Sequence, residues 1–201
     1  MLRSLILTPF LAAAALVAHA QMGPRIGLGL ATQSVGGLFQ NTSNLMPGPL
    51  VGWHFEAPVH PQVSIMPELL FMTKGFAVRN PAQATRTRST FRYLEAPILA
   101  KISLDKEEGG LYLLAGPAVG YFLNGRTRLW QEDQLLFDNK YTLPANGRRV
   151  EVSGLVGMGV EGDKWAFDVR AQTSLTPFER FTRIQNVVYA LTVAYRMNTG
   201  R

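Results

Sequence analysis

No cysteine occurs among the 201 residues, which rules out a disulfide framework, a cysteine nucleophile and a cysteine-ligated metal. Histidine is nearly as scarce, with three copies of which one, His19, falls in a segment expected to be removed. Long apolar runs are missing as well: beyond residue 20 nothing approaches the ~18 uninterrupted apolar residues of a membrane helix. Charged residues make up only 17% of the chain against 47% hydrophobic ones, with 19 glycines, a balance that suits neither a disordered tail nor a helical bundle.

What is present begins with an export signal. Arg3 supplies a positive start, residues 5–17 an apolar run broken by Thr8 and Pro9, and Ala18-His19-Ala20 a small-x-small cleavage site. Residues 1–20 are therefore expected to be a cleaved signal peptide, and residues 21–201 a single domain large enough for a complete core or a complete barrel. Loss of Arg3 lowers the formal charge from +6 to +5.

The stretch YLEAPILAKISL sets the pattern for the rest. Leu94, Ala96, Ile98, Ala100, Ile102 and Leu104 form an apolar row at every second position, and Tyr93, Glu95, Pro97, Leu99, Lys101 and Ser103 form a mixed one. That is the period of a β-strand. The same period predicts strands at 25–33, 49–57, 63–74, 91–104, 111–124, 150–160, 165–176 and 185–197. The gaps alternate in length: 34–48, 75–92, 125–149 and 177–184 are long or longer, and 58–62, 105–110 and 161–164 are short. Tight periplasmic turns and longer outer loops give membrane barrels this asymmetry.

Two inside-out arrangements fit the alternation. A water-soluble barrel buries the apolar row; a membrane barrel turns it to lipid and fills a narrow lumen with the small and charged row. Aromatics favour the second. In the apolar row Phe55, Trp165 and Tyr195 fall near the expected periplasmic ends, while Phe71, Tyr121 and Tyr189 fall toward the outer ends, making two belts at the interfaces. The expected fold is an eight-stranded antiparallel up-and-down transmembrane β-barrel in the outer membrane of a Gram-negative bacterium.

The segments VSIMPELLFMTKG (63–75), YLEAPILAKI (93–102), GLYLLAGPAVGYFLNG (110–125) and VVYALTVAYRM (187–197) resemble the PorT-like family of outer-membrane β-barrels found in Bacteroidetes. The resemblance implies an eight-stranded outer-membrane barrel, in some relatives tied to secretion and gliding machinery. Two departures stand out: Leu114 occupies a position often polar in relatives, and the chain continues to Asn198-Thr199-Gly200-Arg201 instead of ending on an aromatic.

Pro67, Pro97 and Pro117 cannot donate to a ladder and predict bulges or broken pairing. The inward row carries Glu56, Glu68, Lys74, Glu95, Lys101, Glu151, Asp168, Arg170 and Arg196. From it Glu68, Glu95, Lys101, Asp168, Arg170 and Arg196 form the expected lumen charge network, with Glu68, Glu95 and Arg170 sharing one cluster. A plugged lumen is favoured over a narrow ion or small-solute channel. An enzyme reading has little to draw on. His54 lies two residues from Glu56 and His60 sits in a turn, neither giving a visible Ser–His–acid set or a convergent metal site. Glycine-rich GLGL (27–30) and GLVGMGVEG (154–162) resemble phosphate loops but alternate within strands, as lumen fillers would. No catalytic residue, metal or cofactor is expected, and a lipid-modifying enzyme is the weakest alternative.

Outer loops and rims hold eleven bases against four acids, and the short turns two bases against five acids. Arg86, Arg88, Arg92, Arg126, Arg128, Arg148 and Arg149 are the expected contacts for lipopolysaccharide, whose phosphates suit forked guanidinium recognition. A merely solvated rim explains the same charges equally well. The functional expectation is a structural, adhesion or secretion/assembly-associated envelope protein, with outer-membrane lipid, lipopolysaccharide and possible envelope or secretion-machinery proteins as partners and no nucleic acid.

Overall fold

The computed structural model describes residues 21–35, 44–105, 110–142, 149–176 and 184–197. The expected signal peptide, Arg148, and two more of the eleven loop and rim bases, Arg180 and Arg183, lie outside the described residues.

Nine strands follow one another: β1 Gln21–Val35, β2 Met46–His60, β3 Val63–Asn80, β4 Thr85–Ser103, β5 Gly110–Gln131, β6 Gln134–Tyr141, β7 Val150–Glu161, β8 Trp165–Ser174 and β9 Ile184–Tyr195. All neighbours pair antiparallel in the order β4-β3-β2-β1-β9-β8-β7-β5-β6, and a further β4–β5 ladder closes the ring. Eight strands thus make the barrel. The ninth, β6, pairs with the upper half of β5 only, from Gly125↔Tyr141 to Gln131↔Gln134, while the lower half of β5 pairs with β7.

The stretch 93–104 answers which face is inside. Tyr93, Glu95, Leu99 and Lys101 are buried, whereas Ile98 is 57% and Ile102 45% exposed. The same inversion runs round the barrel: Ile26, Leu28, Val156, Met158, Val169 and Leu191 are exposed, while Arg25, Lys74, Asp168 and Arg170 are almost wholly enclosed. A water-soluble barrel would show the reverse. Trp165 and Tyr195 pair across β8 and β9 with ring centroids 4.9 Å apart at the end where the chain enters β8, and Tyr121 is exposed toward the other end. These are the two aromatic levels expected of bilayer interfaces.

Narrow-lumen packing accounts for particular glycines. A Cβ on Gly159 would sit 2.5 Å from the Tyr112 ring, and one on Gly120 would sit 2.9 Å from the Glu95 carboxylate. At Gly110 the backbone itself demands glycine: φ is +108°, and Asp105, which accepts from Leu111 N at 3.0 Å, fills the space of a Cβ.

At Pro67, Pro97 and Pro117 the ladders are interrupted without a register change. Pairing of β3 with β4 stops after Pro67↔Ile98 and resumes at Leu70↔Glu95; β4 and β5 break between Pro97↔Ala118 and Ala100↔Ala115, opposite Pro117. Register shifts occur elsewhere, at Pro58/His60, Arg92/Tyr93 and Leu129/Trp130.

Two expected outer loops are corrected. The gap 75–92 is mostly strand: β3 and β4 run on to Asn80 and from Thr85, joined by a single 3₁₀ turn at Pro81–Gln83. The gap 125–149 holds the end of β5 and all of β6, turned at Glu132 and Asp133 with φ of 48° and 65°. Two left-handed residues in succession make the primed type of hairpin turn. Glu132 N also donates to Ala84 O at 3.2 Å, tying the two hairpin tips together. Beyond the bilayer both faces of a strand meet water, so the apolar alternation fades although pairing continues. The result is a four-stranded sheet of β3, β4, β5 and β6 projecting from the outer rim.

Candidate functional site

Two places gather chemistry: the barrel interior and the outward face of the projecting sheet. Inside, charges from six strands meet in three layers. Nearest the periplasmic end, Lys101 Nζ lies 2.7 Å from Glu56 and 2.5 Å from Glu161, with Arg196 3.2 Å from Glu161 and donating to Gln21 at 2.7 Å. In the middle, Arg170 forks onto both oxygens of Glu68 at 2.6 and 2.9 Å and reaches Asp168 at 2.5 Å. Arg25 completes that layer, 2.5 Å from Asp168 and 3.1 Å from Glu68, and Thr192 and Tyr112 donate to Asp168 at 2.7 and 2.9 Å. In the outer layer Lys74 is shared by Glu151, at 2.6 Å, and Glu95; Asn186 donates to Glu151 at 2.6 Å and Gln172 to Glu95 at 3.0 Å.

All six expected lumen residues point inward, but they do not form one network. Glu95 does not join Glu68 and Arg170: it pairs in the ladder with Leu70, one side-chain level above Glu68, and belongs with Lys74. Lys101 and Arg196 form the lower layer with Glu161, which is the last residue of β7 and not part of the expected turn 161–164. Arg25 is not among the expected lumen residues, because it stands at the very start of the recognisable alternation. His54 is buried, and its Nδ1 has no hydrogen-bond partner among the described residues.

Above the outer layer lies an aromatic cover. Phe76 and Phe91, Phe91 and Phe122, and Phe122 and Tyr141 have centroids 6.2, 6.4 and 6.1 Å apart, with Tyr93 edge-on to Phe122 at 5.5 Å. Tyr141 comes from β6 and lies over Gly125, where a Cβ would meet its ring at 2.4 Å. Burial raises the Tyr141 hydroxyl above its ordinary pKa.

The second place begins where the lipid-facing row of β4 leaves the apolar band. Ile98, Ala96 and Leu94 are followed on the same face by Arg92, Thr90, Arg88 and Arg86. Cross-strand neighbours put Arg79 of β3, Arg126, Arg128 and Trp130 of β5, and Asp138 and Lys140 of β6 on that face. Trp130 lies between two guanidinium groups, Arg128 at 5.4 Å and Arg86 at 5.9 Å. Asp138 forks with Arg126, Nε to Oδ1 being 2.7 Å, and this hydrogen bonding holds the carboxyl below the ordinary aspartate pKa and raises that of Arg126. Of the seven expected contacts, the sheet brings together Arg86, Arg88, Arg92, Arg126 and Arg128. Arg149 lies apart at the head of β7, its guanidinium 5.8 Å from the Tyr121 ring. Arg79 and Lys140 join the face only because strands replace the expected loops.

Comparison with known proteins agrees with this architecture. The attachment invasion locus protein Ail of Yersinia pestis, solved in complex with the heparin analogue sucrose octasulfate, superposes with a TM-score of 0.51 at 10% identity over 89% of this chain and 99% of that one. Neisserial surface protein A superposes with a TM-score of 0.51 at 8% identity over the same shares. At such identities the likeness establishes the fold alone. No curated protein sequence matches. The model of the outer membrane protein beta-barrel domain matches residues 14–180. The chain belongs to that family, as a β-barrel of the Gram-negative outer membrane.

Proposed function

We propose that this barrel is a non-catalytic envelope component with a plugged lumen, working through its projecting sheet by contact with lipopolysaccharide. The observation that carries the reading is the continuity of one face. The row of β4 that is apolar and exposed at Ile98 and Leu94 becomes arginine at Arg92, Arg88 and Arg86, and on this reading the change marks the level at which the phosphates and acidic sugars of the outer leaflet begin. Forked, charge-assisted hydrogen bonds suit such groups. The polysulfated sugar held by Ail offers a parallel for anion binding on this fold, without supplying residues. The PorT-like resemblance of residues 63–75 and 93–102 keeps a secretion or assembly association within the same reading.

Replacing Arg86, Arg88 and Arg92 together by glutamine is expected to weaken binding of the detergent-solubilised barrel to immobilised lipopolysaccharide at least tenfold and to flatten its salt dependence. Equal affinity and an equal salt slope would remove the proposal. The second reading, a narrow ion path, draws on the three charged layers between Arg196 and Lys74. In planar bilayers we expect no steady single-channel conductance; conductance abolished by Lys101→Met or Glu95→Gln would install the channel in its place.

A further inference from the structure

Each of the three ladders in the projecting sheet sets two cations directly opposite each other on the outward face: Arg79 faces Arg86, Arg88 faces Arg128, and Arg126 faces Lys140. Like charges in direct cross-strand register destabilise a sheet, and here the conflict recurs in every ladder. The pairs are not scattered. Each lies one strand across and two residues along from the last, so they form a diagonal with steps of about 8 Å, from the ~4.8 Å strand spacing and ~3.4 Å rise per residue. Among the described residues a single acid, Asp138, shares this face, opposite Arg128 and bonded to Arg126. Arg88 Nε is buried and has no hydrogen-bond partner among the described residues.

We propose that the diagonal is a phosphate-bridging site in which each cation pair does the work of a divalent metal ion between lipopolysaccharide molecules. This rests on the lipopolysaccharide reading above and specifies how the contact is used. Phosphates of neighbouring glycolipids repel one another, and bound divalent cations ordinarily offset that repulsion. Two basic side chains about 5 Å apart at the backbone present the same charge, and guanidinium adds a hydrogen-bonding fork that a metal lacks. Arg88 and Arg128 form the central bridge. Trp130 holds Arg86 and Arg128 from the side, which limits the freedom they lose on binding. Asp138 acts as an internal competitor: its carboxylate takes the Arg126 fork that a ligand phosphate would otherwise fill.

The competitor gives the proposal a sign of its own, because removing an acid should strengthen the bridge while removing bases weakens it. The test uses vesicles carrying lipopolysaccharide in the outer leaflet, with the full mature barrel inserted, and measures lipopolysaccharide released by EDTA. Wild-type protein should reduce release several-fold relative to protein-free vesicles. R88Q/R128Q should raise release well above the wild-type level by removing the central pair, K164Q at a periplasmic turn should protect like wild type, and D138N should protect more strongly. R88Q/R128Q protecting as well as wild type, or wild type failing to protect although it binds immobilised lipopolysaccharide, would overturn the bridge and leave the binding reading standing. Failure of wild type to bind immobilised lipopolysaccharide would overturn both. Heat-modifiable migration of each variant confirms that the barrel is folded, so loss of protection reports on the face.

Discussion

Replacing Arg170 by methionine is expected to destabilise the barrel by ~3–5 kcal/mol, the range for removing one partner of a buried ion pair. Arg170 is 4% exposed and forks onto Glu68 while also reaching Asp168. Without it, two enclosed carboxylates share Arg25 as their one remaining cation, with Thr192 and Tyr112 as neutral donors to Asp168. The cost arises from the uncompensated charge, so adding Glu68→Gln should recover most of it, leaving Arg25 and Asp168 as a balanced pair. Urea unfolding in lipid vesicles, followed by tryptophan fluorescence, reads both variants. If the double variant proves no more stable than Arg170→Met, packing volume and not charge explains the loss.

A loss at least as large, again ~3–5 kcal/mol or outright failure to fold, is expected for Lys74→Met. The outer layer has one cation for two acids: Lys74 is completely enclosed and touches both Glu95 and Glu151. After substitution the carboxylates keep only neutral donors such as Gln172, Asn186 and Ser153. Adding Glu95→Gln and Glu151→Gln should restore folding. A cost below about 1 kcal/mol would place the layer in contact with water, since only solvated pairs are worth so little. That outcome would favour the channel reading, because water would have to pass the aromatic cover of Phe91, Phe122 and Tyr141.

The barrel was legible in the sequence because a membrane strand must satisfy two solvents at once. Lipid on one side and a crowded polar lumen on the other print an unmistakable period of two on residues 93–104, 165–171 and 187–197. Above the bilayer that contrast ends. The run Thr85–Ser89 alternates arginine with threonine and serine, and the hairpin into β6 turns on Glu132-Asp133 without the glycine that usually marks such a turn. The projecting sheet therefore has the sequence texture of a loop, and nothing in that texture specifies the register that lines up its basic pairs. Inside the barrel, direction was readable but partnership was not. Which acid meets which base depends on ring closure and strand height, which set Glu95 one level above Glu68 and bring Arg25, from the first strand, against Asp168 from the eighth.

The direction in which the two rows of side chains face decides whether this is a membrane barrel at all. Because the chain has no cysteine, a single one introduced at Ile98 or Leu191 can carry a nitroxide label without competition, and power-saturation spectroscopy in lipid vesicles then reports its surroundings. Both labels should be accessible to oxygen, which concentrates in the acyl region, and shielded from a water-soluble nickel complex. Labels at Ile98 and Leu191 that meet the nickel complex freely, or that are closed to both reagents as in a packed core, would contradict the inside-out barrel and everything built on it.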